Sequence, residues 1–194
     1  MGTRGWHSRG YLPHFDAPGL VQSLTFHLAD SLPKSALARM ETQIEHLPEA
    51  EKPKERKRRL ECFLDAGYGA CWLRQTEIAQ LVEDRILQSD GEECLLLAWT
   101  IMPNHVHVLC ELSDEVPLAK LLKDWKGSAA VAANRWLSRT GAFWYREYHD
   151  RYIRDEVHFR NAVRYIDENP VKAGLCRRPN DWPFGSARRF SDAE

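Results

Sequence analysis

Apolar positions along this chain alternate, then recur at helical spacing, then alternate again, and each change of period marks an element. Residues 21–28 (VQSLTFHL) put Val21, Ser23, Thr25 and His27 on one side and Gln22, Leu24, Phe26 and Leu28 on the other, which predicts a strand. After Pro33, Leu37, Met40, Ile44 and Leu47 recur at helical spacing. Residues 48–59 (PEAEKPKERKRR) are charged and contain prolines, and predict a loop or an exposed helix start, with the character of an insertion. Leu60, Phe63 and Leu64 resume apolar spacing before Gly67-Tyr68-Gly69, and Ile78, Leu81, Val82 and Ile86 form the stripe of a helix over residues 76–88 with Thr76 in its N-cap region.

The strongest sheet signal follows. Residues 94–101 (CLLLAWTI) suit a central strand, Met102-Pro103-Asn104 a turn, and residues 105–112 (HVHVLCEL) a returning strand, so a β-hairpin is predicted. Leu118, Leu121, Leu122, Trp125, Ala129, Ala132 and Trp136 mark a long amphipathic helix with Pro117 suited to its first turn. The aromatic stretch 144–154 (WYREYHDRYIR) predicts another strand. Asp155 is placed to cap a helix over 156–168, and Pro170 predicts its end by disfavouring helix at Asn169. The order is that of an α+β fold of the ferredoxin-like βαββαβ type. Its antiparallel sheet would carry helices mainly on one face, plus a C-terminal helix bearing Tyr165. Residues 1–194 are read as a single domain, with 176–194 as a C-terminal tail.

Charge changes this picture only once it is divided. The chain of 194 residues has a formal net charge of −1, which excludes a generic polycation. Residues 1–119 hold 12 basic and 18 acidic side chains, whereas residues 120–194 hold 15 basic and 10 acidic. The run Lys52-Pro-Lys-Glu-Arg-Lys-Arg-Arg59 adds a basic patch to the acidic part. Such runs are either solvated faces or surfaces for a polyanion, and charge alone does not choose between them. No apolar stretch approaches the ~18 residues of a membrane span, and no signal peptide is expected, since residues 1–16 lack an apolar core. Five cysteines without a CxxC spacing favour a reducing cytoplasm over a disulfide framework.

Two constellations carry candidate chemistry. In a strand, His105 and His107 project to one side while Val106 and Val108 face the other, and two convergent neutral imidazoles can hold a divalent metal. The HxH triplet alone is more often a pair of structural or surface histidines, so it needs context. In the last long helix Tyr165 and Asn169 stand four residues apart on one face. Each also has a bland reading, as a half-buried tyrosine at a helix–sheet boundary and as a helix-terminal asparagine. Taken together, a phenol of reference pKa about 10 beside a metal that neutralises phosphate charge is a usable nucleophile. His105, His107 and the Asn169 amide oxygen would be the ligands. Imidazole is not the donor Mg²⁺ prefers, so substrate phosphate oxygens would have to complete the site, and Mn²⁺ should substitute readily.

The stretches Arg9-Gly-Tyr-Leu-Pro-His14, Leu24-Thr-Phe26, MPNHVHV (residues 102–108), WYREYHDRYIRD (144–155) and YIDENPVKAGL (165–175) resemble the single-tyrosine HUH transposases. The closest likeness is to the REP-associated tyrosine transposases, tied to repetitive extragenic palindromes in bacteria. The resemblance implies Tyr165 as nucleophile, with His105, His107 and Asn169 holding Mg²⁺ or Mn²⁺. It implies cutting of single-stranded DNA at palindromic REP-like hairpins, through a covalent 5′-phosphotyrosine and a free 3′-hydroxyl, and strand rejoining. Arg9, Lys123, Arg151, Arg154 and Lys172 would contact the DNA. A monomer is favoured over a dimer, and the setting would be cytoplasmic and nucleoid-associated.

Tyr148 and Tyr152 compete as nucleophiles and read equally as core or base-stacking rings; His149 reads as a surface residue. A catalytically silent hairpin binder on the same fold is the alternative class. A zinc hydrolase or deaminase is disfavoured, because neither HExxH nor HxE with PCxxC is present. The divided charge predicts real but modest salt sensitivity: a plot of log K against log salt for hairpin DNA should be much shallower than the slope for ~10 phosphate contacts, and a slope that steep would mean bulk electrostatics dominates.

Overall fold

Two short antiparallel strands, β1 (Gly5–Ser8) and β2 (Pro13–Asp16), precede β3 (Val21–His27) in a computed structural model that describes residues 5–8 and 13–191. Three helices follow, α1 (Lys34–Ile44), α2 (Lys52–Asp65) and α3 (Thr76–Leu87). Then come β4 (Cys94–Ile101), β5 (His105–Leu112), α4 (Leu118–Trp136), β6 (His149–Tyr152), α5 (Glu156–Lys172) and the short α6 (Ser186–Ser191). The four long-range strands form one antiparallel sheet in the order β4-β5-β3-β6, the ferredoxin-like arrangement expected from the pattern.

Strand β5 lies second from one edge and is buried along nearly its whole length. Its even-numbered residues Val106, Val108 and Cys110 join Leu24 and Phe26 of β3 and Trp99 and Ile101 of β4, where α3 and α4 pack. Indole N–H groups in this core are all satisfied in the two largest cases: Trp99 donates to Glu83 at 2.8 Å and Trp125 to Ser89 at 3.0 Å. The opposite face of β5 carries His105, His107 and Leu109. A bulge in β4 between Leu96 and Ala98 switches the alternation there, so that Ala98 packs with Leu109 and Ile166 of α5 while Trp99 returns to the other core. The apolar run expected as a central strand is thus an edge strand, covered on both faces from Ala98 to Ile101 while Leu95 is exposed.

Three local expectations are resolved or changed. Of the two forms expected for the charged run, loop or exposed helix start, it takes the second and is helical from Lys52 to Asp65. Its Pro53 sits in the first turn, where no N–H is required, and Leu60 and Leu64 are buried. Helical spacing also lets Glu55 bridge Arg58 and Arg59, while Arg56 reaches Glu41 on α1 at 2.8 Å. Helix α5 does not stop at Asn169 but runs through Pro170 to Lys172. Pro170 removes one donor, and the end is then closed by Leu175 N–H on Pro170 O at 2.9 Å and Gly174 N–H on Val171 O at 2.9 Å, with Gly174 at φ +70°. The aromatic strand is shorter than expected: pairing is continuous only from His149 to Tyr152, with an isolated bridge between Trp144 and Leu28.

The segment after α5 returns to the outer edge of β4. Ile101 N–H donates to Phe184 O at 2.9 Å, and the Ser186 hydroxyl receives Trp99 N–H at 3.0 Å, which satisfies backbone groups an open edge would expose.

His27 ends β3 on the face shared with His105 and is 1% exposed. Its Nδ1–H donates to Leu28 O at 3.0 Å, and the Tyr145 ring stacks on it. Burial lowers its pKa from 6.5 to about 4, with the Leu28 bond opposing and the Lys126 charge reinforcing the shift. The unfolded chain therefore takes up this proton near pH 6.5 and the folded chain only near pH 4. Stability from this residue is complete above that range and is lost as pH falls through it, by up to about 3 kcal/mol. Urea unfolding followed from about pH 7.5 to pH 4 should show this slope, and His27→Gln should flatten it. An unchanged slope would assign the titration to another group.

Candidate active site

The histidine face of β5 is roofed by α5. Asp155 caps that helix by accepting the His158 N–H at 2.7 Å, and Ile166 is buried against Ala98 and Leu109. With Ile166 pinned to the sheet, Tyr165 and Asn169, one helical turn apart, lie above the imidazoles. Their hydrogen-bond partners decide which nitrogen each ring presents.

Asn104 Nδ2 donates to Tyr68 O at 3.0 Å, which turns its Oδ1 toward His105 Nδ1 at 2.8 Å. A carbonyl oxygen only accepts, so His105 carries its hydrogen on Nδ1 and its Nε2 is a bare lone pair. The loop that supplies Tyr68 O is itself pinned. Ala70 N–H donates to Asp30 at 2.8 Å, and at Gly69 (φ +87°) a Cβ would lie 2.7 Å from Asp30 O, so only glycine fits there. His107 Nδ1 meets Thr25 Oγ1 at 2.9 Å, and Asn169 Nδ2 approaches His107 Nε2 at 3.4 Å. The two Nε2 atoms stand 3.0 Å apart. Burial, then the neighbouring His107 and His27, hold the His105 pKa well below its ordinary value, so this ring is neutral near pH 7.

The oxygen of the Asn169 amide is buried without a hydrogen-bond partner, and a half-turn of that amide presents it to the same point as the imidazoles. Among the described residues no three His, Cys, Asp or Glu side chains close into a metal cluster by themselves, so a complete donor set here needs the amide. The His105 Nε2 lone pair, the His107 Nε2 atom 3.0 Å from it and the orphaned Asn169 oxygen are all buried and converge on one point. That is chemistry suited to a divalent cation.

Tyr165 packs its ring edge-on against His107 with centroids 5.4 Å apart, and Lys172 Nζ lies 5.5 Å from its ring centre. Its hydroxyl is buried without a well-formed hydrogen bond. Burial raises its pKa far above the ordinary phenol value, the Glu61 and Asp65 carboxylates add to this, and Asn169 partly opposes it. A groove of about 790 Å³ leads past Tyr165 between α5 and the α1–α2 pair, with Arg151, Lys54, Arg58 and Arg59 on its walls.

Of the basic residues expected at DNA, Arg151 and Lys172 are thus brought to the Tyr165 side. Arg154 is exposed just before the α5 cap, Lys123 is exposed on α4 across the sheet, and Arg9 lies outside the described residues. Of the competing aromatics, Tyr148 is buried and stacks on His14, while Tyr152 sits beside Phe15, away from the imidazoles. Sequence reasoning did not single out Thr25, Asn104 or Asp65. Thr25 was legible as sharing a face with His27. Asn104 was read as a turn residue, and its role depends on a carbonyl 36 positions earlier. Asp65 lies in a region with no motif.

Comparison with known proteins places this geometry. Residues 74–169, which include both histidines, Tyr165 and Asn169, match the family described as transposase IS200-like. A Haemophilus influenzae protein assigned as a REP-associated tyrosine transposase is 31% identical over 108 residues, covering 50% of this chain and 61% of the relative. The REP-associated tyrosine transposase of Escherichia coli K12 is 31% identical over 96 residues, covering 47% of this chain and 53% of the relative. The match therefore spans between half and two thirds of each relative. A solved REP-associated tyrosine transposase bound to a REP hairpin shares the fold, with a TM-score of 0.60 at 16% identity over 93% of this chain and 84% of that one. Over residues 74–169 this chain is thus similar to the IS200-like transposase family, and the relatives it resembles there are REP-associated tyrosine transposases.

Proposed function

We propose that this protein cuts and rejoins single-stranded DNA beside palindromic REP-like hairpins, with Tyr165 as nucleophile. The observation that carries the reading is the convergence, within one chain, of the Tyr165 phenol, the orphaned Asn169 oxygen and two imidazole Nε2 atoms 3.0 Å apart. The relative of the same fold that is bound to a REP hairpin supports the choice of DNA.

His105, His107 and Asn169 would hold Mg²⁺ or Mn²⁺, which when bound supplies charge neutralisation at the scissile phosphate. Tyr165 Oη attacks phosphorus, the bond from phosphorus to O3′ breaks, the phenol proton passes to water in the groove, and O3′ takes a proton back from that water. The products are a 5′-phosphotyrosine and a strand ending in a 3′-hydroxyl. The phosphodiester energy is conserved in the phosphotyrosine, so the reverse attack by a 3′-hydroxyl reseals a strand without another energy source. His107 orients the phenol by ring contact, Asn104 holds the His105 tautomer, and Thr25 anchors the His107 ring. Lys172 and Arg151 are placed to meet phosphate oxygens beside Tyr165. Lys123 and Arg154 would meet DNA elsewhere, and Arg9 belongs to the same set by resemblance. Because one chain supplies every part of the site, action as a monomer is the economical reading. Among the described residues no helix is long and apolar enough to cross a membrane, and we place the activity at the chromosome in the bacterial cytoplasm.

One observation favours a second reading. The buried, fully protonated phenol suits a silent hairpin binder as well as an enzyme awaiting its metal. A flanked single-stranded hairpin incubated with Mn²⁺ should give a denaturation-resistant protein–DNA adduct. Tyr165→Phe should abolish it while leaving hairpin affinity within about twofold. Asn104→Ala, which frees the His105 tautomer, should weaken metal binding about 10–100-fold. No adduct from the unaltered protein under any divalent metal would establish the silent binder, and an adduct that survives in Tyr165→Phe would move the nucleophile to another residue.

A further inference from the structure

Asp65 ends helix α2, in a part of the chain outside the family match at residues 74–169. Its Oδ1 lies 3.7 Å from His105 Nε2, on the side where that ring presents its lone pair. This oxygen is buried and has no hydrogen-bond partner. Neither explanation available within the protein accounts for it. A hydrogen bond from His105 would need the hydrogen on Nε2, but Asn104 holds it on Nδ1, and 3.7 Å is too long for one. A charge-assisted bond to an imidazolium would be about 2.7–2.9 Å long, well short of the 3.7 Å found. Asp65 Oδ1 and Asn169 Oδ1 are thus two orphaned oxygens flanking the same pair of imidazoles. A buried acceptor without a donor calls for an ion or water that supplies the positive end.

We propose that Asp65 is a fourth protein donor to the divalent cation at His105, His107 and Asn169. The proposal rests on the metal site inferred above and adds to it the one anionic ligand that site otherwise lacks. Two donor atoms sharing a cation at about 2.1 Å each lie about 3–4 Å apart, and the His105–His107 and His105–Asp65 separations, 3.0 and 3.7 Å, both fall in that range. The carboxylate side chain is a third exposed at a helix end, beside the pair without yet closing on it, and a bound cation would draw it in. Two imidazoles and an amide carry no charge and favour softer ions such as Zn²⁺. A carboxylate oxygen supplies negative charge and shifts the preference toward Mg²⁺ and Mn²⁺. The α1–α2 pair, which walls the groove beside Tyr165, would then be tied to the catalytic centre through the metal.

The test is Mn²⁺ binding measured by calorimetry and by the loss of the free-ion paramagnetic resonance signal, in the absence of DNA. The proteins are the unaltered chain, Asp65→Asn, Asp65→Ala and His107→Ala. Asp65→Asn keeps the shape of the side chain and removes its charge. It should weaken Mn²⁺ at least tenfold, weaken Zn²⁺ less than Mn²⁺, and leave metal-free thermal stability unchanged or raised. Asp65→Ala should behave alike. Mn²⁺ affinities of both Asp65 variants within twofold of the unaltered chain, with His107→Ala defective, would overturn the role of Asp65 and leave the metal site standing. No Mn²⁺ binding by the unaltered chain would overturn both.

Discussion

The site depends on the two-sided burial of strand β5. With paired neighbours on both edges and helices over both faces, the strand has no freedom to slip, because a shift of one residue would drive His105 and His107 into the aliphatic core and Val106 and Val108 out of it. The price of that slip, two imidazoles buried among Leu24, Phe26 and Ile101 without partners, sets the register more firmly than any single hydrogen bond. Once register is set, both rings point toward α5, and everything chemical in the molecule is arranged around that fact.

The next layer of control is the tautomer of each ring. The chain from Asp30 through Ala70 to the Tyr68 carbonyl, the Asn104 amide and His105 Nδ1 is a succession of directional bonds, each of which leaves the following group one way to point. Its outcome is a nitrogen lone pair on the inner side of the site. Thr25, opposite His107 in the strand register, stands in the corresponding place for the second ring. A buried imidazole with the wrong nitrogen protonated would be a donor and would repel a cation, so these outer contacts decide whether the pair can act as ligands.

Helix α5 completes the arrangement because it does not obey the local rule at Pro170. The lost donor costs less than ending the helix there, since the closing turn at Gly174 satisfies the last carbonyls and Ile166, Asn169 and Pro170 are all buried. Asn169 therefore belongs to the body of the helix, where its position relative to Tyr165 is held by four residues of backbone geometry. The same rigidity explains the high phenol pKa. Tyr165 is held in a poorly solvated place beside two carboxylates, which keeps its phenol protonated.

Much of this was written locally. The alternation of VQSLTFHL and HVHVLCEL determined which faces are apolar, and therefore that His105 and His107 share a side. The three-to-four spacing around Tyr165 and Asn169 determined that they share a helical face, and Asp155 determined where that helix begins. What alternation and spacing do not contain is distance across the chain. The charged segment 48–59 reads as loop or helix start because the pair that ties it to α1, Arg56 with Glu41, exists only once the two helices lie side by side. The place of Asn104, Thr25 and Asp65 depends on contacts with residues 36, 82 and 40 positions away along the chain. Periodicity tells a side chain which way to face; only the packed structure determines what it faces, because burial and hydrogen-bond direction are properties of neighbours brought together by the fold.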